Sequence, residues 1–241
     1  MTENNIKLTK EIMKNKEIIT QRLPVGKSFD VIGRELQFNN TEAYLIFIDG
    51  FAKDNIMLFI LEELQQLKKD VFSKEAIKKL LKQKIAYIEV GTFKELKQME
   101  TAVLSGAVAL IIDGEDEGII IDAREYPVRG PSEPDLEKVT RGSRDGLVET
   151  IIFNTALIRR RLRDPKLIFE IKSVGKRSQT DVVIAYIKDL ADDKLLKEIE
   201  DKINGVDVEA LIMAEKTLEE LIIKKHWYNN LFRYNRRFNA Q

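Results

Sequence analysis

The chain has no cysteine among its 241 residues. That excludes disulfides, zinc–thiolate sites and a cysteine nucleophile, and it suits a reducing compartment. It has one histidine, His226, and a lone imidazole argues against a metal site or a Ser–His–Asp arrangement. It has no net charge, because 40 Lys and Arg balance 40 Asp and Glu, so no overall field favours nucleic acid. Neither GxGxxG nor GxxxxGK[ST] occurs, so the two common phosphate-cradling loops are missing. The first residues, MTENNIKLTKEIMKNKE, hold no apolar core of a secretory signal. The longest apolar runs, such as Ala107 to Ile112, fall short of the ~18 residues of a membrane span. The chain as given is expected to be soluble, with no cofactor, no metal and no nucleic-acid partner.

What is present is the composition of a globular protein with a densely charged surface: 44% hydrophobic and 33% charged residues. Apolar spacing predicts a helix from Ile6 to Leu23, stopped by Pro24 and Gly26, then strands at Ser28–Phe38 and Ala43–Ile48 around Asn39-Asn40. Helices are expected at Asp54–Leu67, Lys74–Lys82 and Phe93–Leu104, and strands at Ile85–Val90, Val108–Ile112 and Ile119–Asp122. A helix from Leu147 to Leu162, strands at Leu167–Ile171 and Val182–Ile187, and helices at Lys194–Ile203 and Lys216–Lys225 complete the pattern. Alternating strands and helices favour an α/β fold of two subdomains with mixed sheets. The expected division is residues 1–123, a hinge at 124–146, a second subdomain at 147–225 and an aromatic, basic tail at 226–241. Phe47–Asp54 lines up with Tyr186–Asp193, each running from a strand end through an acidic turn into a helix. A duplication accounts for this, and so does the general preference of such turns for these residues.

The stretch from Arg124 to Asn154 holds three of the five prolines and three of the twelve glycines, with arginines alternating among carboxylates. It reads as a structured hinge rather than a slack linker. Isolated charges between packed lobes are costly. Arg129 and Arg141 are therefore expected to pair with Glu133, Glu137 or Glu149. Arg141-Gly142-Ser143-Arg144-Asp145-Gly146 reads as a capped helix start with Ser143 or Asp145 as N-cap, or as an anion site. Arg159, Arg160, Arg161 and Arg163 close the same helix. They suit a solvated last turn or pairing with Glu133, Asp135 and Glu137 of the hinge. Asp113 to Glu117 fits a hairpin turn better than a calcium loop. The tail, with Trp227, Tyr228, Phe232, Tyr234 and Phe238 among cations, suits a membrane–water interface or a terminal segment packed on the second subdomain.

Arg129, Glu133-Pro134, Glu137, Arg141-Gly142, Gly146, Glu149, Asn154 and Leu157 to Arg161, then Gly175-Lys176-Arg177 and Thr180, resemble the signature of the A-subunit family of bacterial spore germinant receptors. Asp30, Arg34, Leu45 to Gly50, Ser105-Gly106 and Ile112-Asp113-Gly114 agree as well, so the resemblance covers roughly residues 28–223. Receptor A subunits proper usually have proline where this chain has Ser143. That sets it nearer a paralogous branch associated with amplifying ion release. The resemblance implies the soluble, core-facing N-terminal module of a spore inner-membrane protein, built as two α/β subdomains, with no catalytic residue to carry over.

From that resemblance follows a non-enzymatic module for assembly and regulation of an ion-releasing germination complex. Its partners would be other spore germination membrane proteins and copies of itself. Membrane attachment would come through a family transmembrane region absent from this chain. The assembly residues are expected to be Arg129, Glu133, Glu137, Arg141, Glu149, Arg159, Arg160 and Arg161. The alternative is a nutrient-sensing module that binds a small molecule between its lobes.

Overall fold

A computed structural model describes residues 6–38, 41–52, 54–65, 89–124, 147–211 and 218. Its helices are α1 (Ile12–Arg22), α2 (Asp54–Gln65), α3 (Leu96–Leu104), α4 (Ile151–Arg161) and α5 (Asp193–Asn204). Its strands are β1 (Val31–Phe38), β2 (Thr41–Ile48), β3 (Val90–Phe93), β4 (Val108–Ile112), β5 (Gly118–Ile121), β6 (Leu167–Val174) and β7 (Thr180–Ile187). The expected helices at 74–82 and 216–225, most of the strand at 85–90, most of the hinge and the 226–241 tail lie outside the described residues.

Cα packing divides the chain into two compact units: Met1–Glu170 with Ala185–Asp189, and Ile171–Ile184 with Leu190–Gln241. The division falls after Glu170 rather than within the 124–146 segment.

In the first unit five strands run in the order β1-β2-β4-β5-β3. All four pairings are antiparallel, which corrects the expectation of mixed sheets. Only two residues separate β1 from β2 and five separate β4 from β5, and so short a connection can return a chain only antiparallel. β4 is buried along its whole length, because helices cover both faces of the sheet. On one face Tyr44, Ile46, Ala109 and Ile111 meet Ile12 and Ile19 of α1 and Met99 and Val103 of α3. On the other, Leu45, Leu110 and Ile119 meet Ile56, Met57 and Leu61 of α2.

α1 begins at Ile12, later than the expected Ile6, because the preceding residues are spent on other pairings. Leu8 N donates to Lys94 O at 2.8 Å, and Leu96 N donates to Ile6 O at 2.9 Å. The start of α1 is then capped from a distance: Ile12 N donates to Oδ1 of Asp113, in the β4–β5 turn, at 3.1 Å. That makes Asp113 a tertiary cap as well as a turn residue.

Gly33 on β1 has no room for a side chain. An added Cβ would lie 2.0 Å from Tyr44 Oη and 2.8 Å from Val25 Cγ1. The Tyr44 ring covers the glycine, and the Lys16 ammonium, bound to Glu35 at 2.9 Å, stands 5.7 Å from the ring centroid. Burial, and then the charge of Glu35, raise the Tyr44 phenol above its ordinary value of 10.0. The raised acid favours the folded state below the unfolded pKa and loses that contribution as pH climbs through the folded one. Melting temperature should therefore fall above about pH 10, and fall less in a Tyr44→Phe variant. An identical alkaline profile in the two proteins would refute the assignment.

In the second unit α5 opens on Asp192, whose Oδ1 accepts from Lys194 N at 2.7 Å and Leu195 N at 3.4 Å. This is the acidic N-cap expected of a strand-to-helix turn. Val174, Ile203 and Leu211 form its core, with Val182, Ile184 and Ile199 packed against them. Backbone bonds from Lys176 N to Val208 O at 2.9 Å and from Arg177 N to Glu209 O at 2.8 Å hold the β6–β7 turn to the segment after α5.

Candidate functional site

The expected N-caps Ser143 and Asp145 do not start α4. The helix opens after Thr150, with no side-chain cap bond. Asn154 keeps the preceding residues out of the helix: its Nδ2 donates to Val148 O, and Val148 N donates to its Oδ1, both at 2.7 Å. α4 then lies close to the turn after β2. A Cβ on Gly50 would stand 2.9 Å from Ile152 Cγ2 and 3.3 Å from Ala156 Cβ, and Gly50 also adopts φ 80°. Both requirements select glycine there.

This seating carries Arg159 into the interior, where it is fully buried, and the expectation of a solvated last turn fails for this residue. Arg159 lies four positions after Thr155 and three after Ala156, both buried, so it shares their helical face. Its Nε donates to Asp30 Oδ2 at 2.8 Å and its Nη2 to Asp30 Oδ1 at 3.1 Å. The remaining donors reach Leu167 O at 3.0 Å and Asp164 O at 2.9 Å. The guanidinium stands 5.1 Å from the centroid of the Phe169 ring.

Asp30 is 1% exposed and also accepts from Ser28 Oγ. That hydroxyl in turn accepts from Phe169 N at 2.9 Å, while Phe29 N donates to Phe169 O at 3.1 Å. The backbone carbonyl of Asp30 accepts from Asp49 N at 2.7 Å. One fork-to-fork pair thus ties together the approach to β1, the end of β2, α4 and the start of β6. A bidentate, charge-assisted pair suits this role because it fixes direction as well as distance.

The groups of this clamp are spent on one another. Each polar group named in it already has a protein partner, and among the described residues no buried side-chain nitrogen or oxygen lacks one. No group of three or more potential metal-ligating residues occurs among the described residues. Elsewhere in the first unit an open groove of about 630 Å³ runs between β3, β5 and α3. On its rim the Arg124 guanidinium bonds the Asp122 carboxylate and, mainly through that bond, lowers its pKa.

Of the other expected assembly residues, Glu149, Arg160 and Arg161 are exposed. Arg129, Glu133, Glu137 and Arg141 lie outside the described residues. The sequence reading singled out Asp30 without a role, and missed Ser28 and Phe169. The phase of Arg159 with Thr155 and Ala156 was the available signal.

Residues 16–236 match the family described as Bacillus/Clostridium GerA spore germination protein. Stage V sporulation protein AF of Bacillus subtilis (strain 168) is 38% identical over 237 residues, covering 98% of this chain and 48% of that protein. Spore germination protein GerLA of Bacillus cereus is 34% identical over 202 residues, covering 82% of this chain and 40% of that protein. The chain therefore spans about half the length of the curated relatives it matches. The fold is that of a crystal structure of the N-terminal domain of the A subunit of the Bacillus megaterium spore germinant receptor GerK3. Its TM-score is 0.66 and its identity 23%, over 85% of this chain and 75% of that one. Among the described residues no helix is long and apolar enough to cross a membrane.

Proposed function

Since the chain belongs to the GerA family of Bacillus and Clostridium spore germination proteins, a family without known catalysis, we propose that it serves as a soluble N-terminal module of a spore inner-membrane protein. It acts in assembly and regulation of an ion-releasing germination complex. The observation that carries this reading is the clamp: the most deeply buried charges among the described residues are spent on joining four elements, with each named donor and acceptor matched. A unit braced in this way works by association. Tethering to a membrane raises the effective concentration of neighbours, so weak contacts suffice to order a complex. The partners are other spore germination membrane proteins and copies of the same protein, met through local patches, since a chain of net charge zero exerts no long-range steering. Of the candidate assembly residues, Arg160 and Arg161 are exposed at the end of α4 and are the ones the proposal rests on.

Spores carrying Arg160→Glu and Arg161→Glu should release ions and germinate more slowly, with the purified chain's melting temperature unchanged. Normal germination of spores lacking the protein altogether would end the proposal. A thermal-shift screen with amino acids, sugars and dipicolinate should show no stabilisation, and a clear shift would favour nutrient sensing instead.

A further inference from the structure

The order α1-β1-β2-α2 recurs as α4-β6-β7-α5, and the agreement extends to element lengths. α1 and α4 have 11 residues each, β1 and β6 have 8, β2 and β7 have 8, and α2 and α5 have 12. Three of these four pairs lie 139 positions apart (12 to 151, 41 to 180, 54 to 193), and the first strands lie 136 apart (31 to 167). The difference is accounted for locally. The helix-to-strand linker is three residues shorter in the second half (23–30 against 162–166), and the strand-to-strand turn is three residues longer (39–40 against 175–179).

Side chains agree at structurally telling places. At the 139 spacing Leu8 meets Leu147, Ile12 meets Ile151, Ile19 meets Ile158, Thr41 meets Thr180 and Asp54 meets Asp193. The octapeptide match from Phe47 to Asp54 has this same spacing. Asn15 and Asn154 also coincide, each the fourth residue of its helix. Asn154 clasps Val148, six positions back, as described above. Asn15 clasps Thr9 in the same way: its Nδ2 donates to Thr9 O at 2.6 Å, and Thr9 N donates to its Oδ1 at 2.9 Å. Asparagine is a poor residue inside a helix, so two helices meeting this need by the same device is not a matter of general preference. The helix after each hairpin also covers the same strand positions. Ala43 and Leu45 pack in the α2 cluster, and their counterparts Val182 and Ile184 pack in the α5 cluster.

We infer that residues 8–65 and 147–204 are two copies of one α-β-β-α unit, duplicated within the chain, and that the Asp30–Arg159 clamp is an asymmetric joint added to fasten α4 and the start of β6 to the first copy. At the joint itself the copies differ. The counterpart of Arg159 is Thr20, and the counterpart of Asp30, immediately before the first strand, is Lys166. Thr20 Oγ1 bonds the carbonyl of Lys16 at 2.8 Å, and Lys166 pairs with Asp189. Only one of the two reciprocal pairs exists.

The test is a transplant in the full chain. Replacing residues 147–154 with residues 8–15, with Thr155 to Arg159 kept because they seat the helix, retains the leucine, the first isoleucine and the clasp asparagine in register. A second transplant, of residues 9–16 into the same place, has nearly the same composition but slips by one position. The in-register chain should melt within about 5 °C of the parent, and the slipped chain at least about 10 °C lower, as expected for a protein of this size losing a half-buried clasp and the apolar residues beside it. Equal melting of the two chimeras, whether both fold or both fail, would overturn the correspondence. So would an experimental structure in which β1, β2 and α2 cannot be laid on β6, β7 and α5 with the helix on the same face.

Discussion

Arg159→Ala is expected to destabilise the chain by about 3–5 kcal/mol, because among the described residues no other cation is bonded to the Asp30 carboxylate in the interior. In a protein of this size that corresponds to a fall in melting temperature of roughly 6–20 °C. Asp30→Ala should cost a similar amount by leaving the guanidinium unpaired. Arg159→Lys should rescue little, since an ammonium cannot reach both carboxylate oxygens and the carbonyls of Asp164 and Leu167 together. The double variant Arg159→Met with Asp30→Leu removes both charges, so its cost should be well below the sum of the singles. Urea unfolding of the four proteins decides the matter. Single variants within about 1 kcal/mol of the parent would show that water reaches the pair and that the clamp holds nothing.

Gly33→Val should be the second most damaging change, costing about 3 kcal/mol or more. Even a methyl group would overlap the Tyr44 hydroxyl, at 2.0 Å, and its Cζ, at 2.7 Å. The ring has nowhere to retreat, because Tyr44 is buried among the α1 contacts. Overpacking of this kind costs about 1–3 kcal/mol for an added methylene, and a β-branched side chain adds more atoms than that. Pairing Gly33→Val with Tyr44→Val should recover much of the loss, because volume returns to one side of the contact as it is added to the other. Circular dichroism melts of the two variants would show it, and a double variant no better than the single would place the strain elsewhere.

The sequence disclosed the elements more readily than their pairing. β4 was legible because five consecutive apolar residues, Val108 to Ile112, have no other use than a strand buried on both faces. The end of α1 was legible from Pro24, and its start was not: Ile6 and Leu8 continue the apolar pattern, yet their backbone groups bond Leu96 and Lys94, a tertiary choice that local spacing does not contain. Antiparallel pairing was hidden for a related reason. The pairing of β2 with β4 joins Ala43 to Ile112, and the alternation of helices and strands between them suggested crossovers instead. The clamp was half legible. Four arginines near the end of one helix invite a single explanation, but helical phase separates Arg159, in line with Thr155 and Ala156, from the exposed Arg160 and Arg161. Its partner, 129 positions away, could be found only by folding the chain.

That separation has a consequence for the order in which the protein comes into being. A ribosome adding ~5–20 residues per second needs about 6–26 s to travel from Asp30 to Arg159. A hairpin such as β1–β2 closes in roughly 1–10 μs. For those seconds the nascent first sheet carries a carboxylate without its cation, and Gly50 without the helix that packs on it, on a surface that the finished protein seals. Synthesis of α4 is therefore the moment at which the first half stops being an intermediate. A translation arrest before Arg159 would release a chain whose sheet is formed but whose exposed flank invites chaperones and proteases.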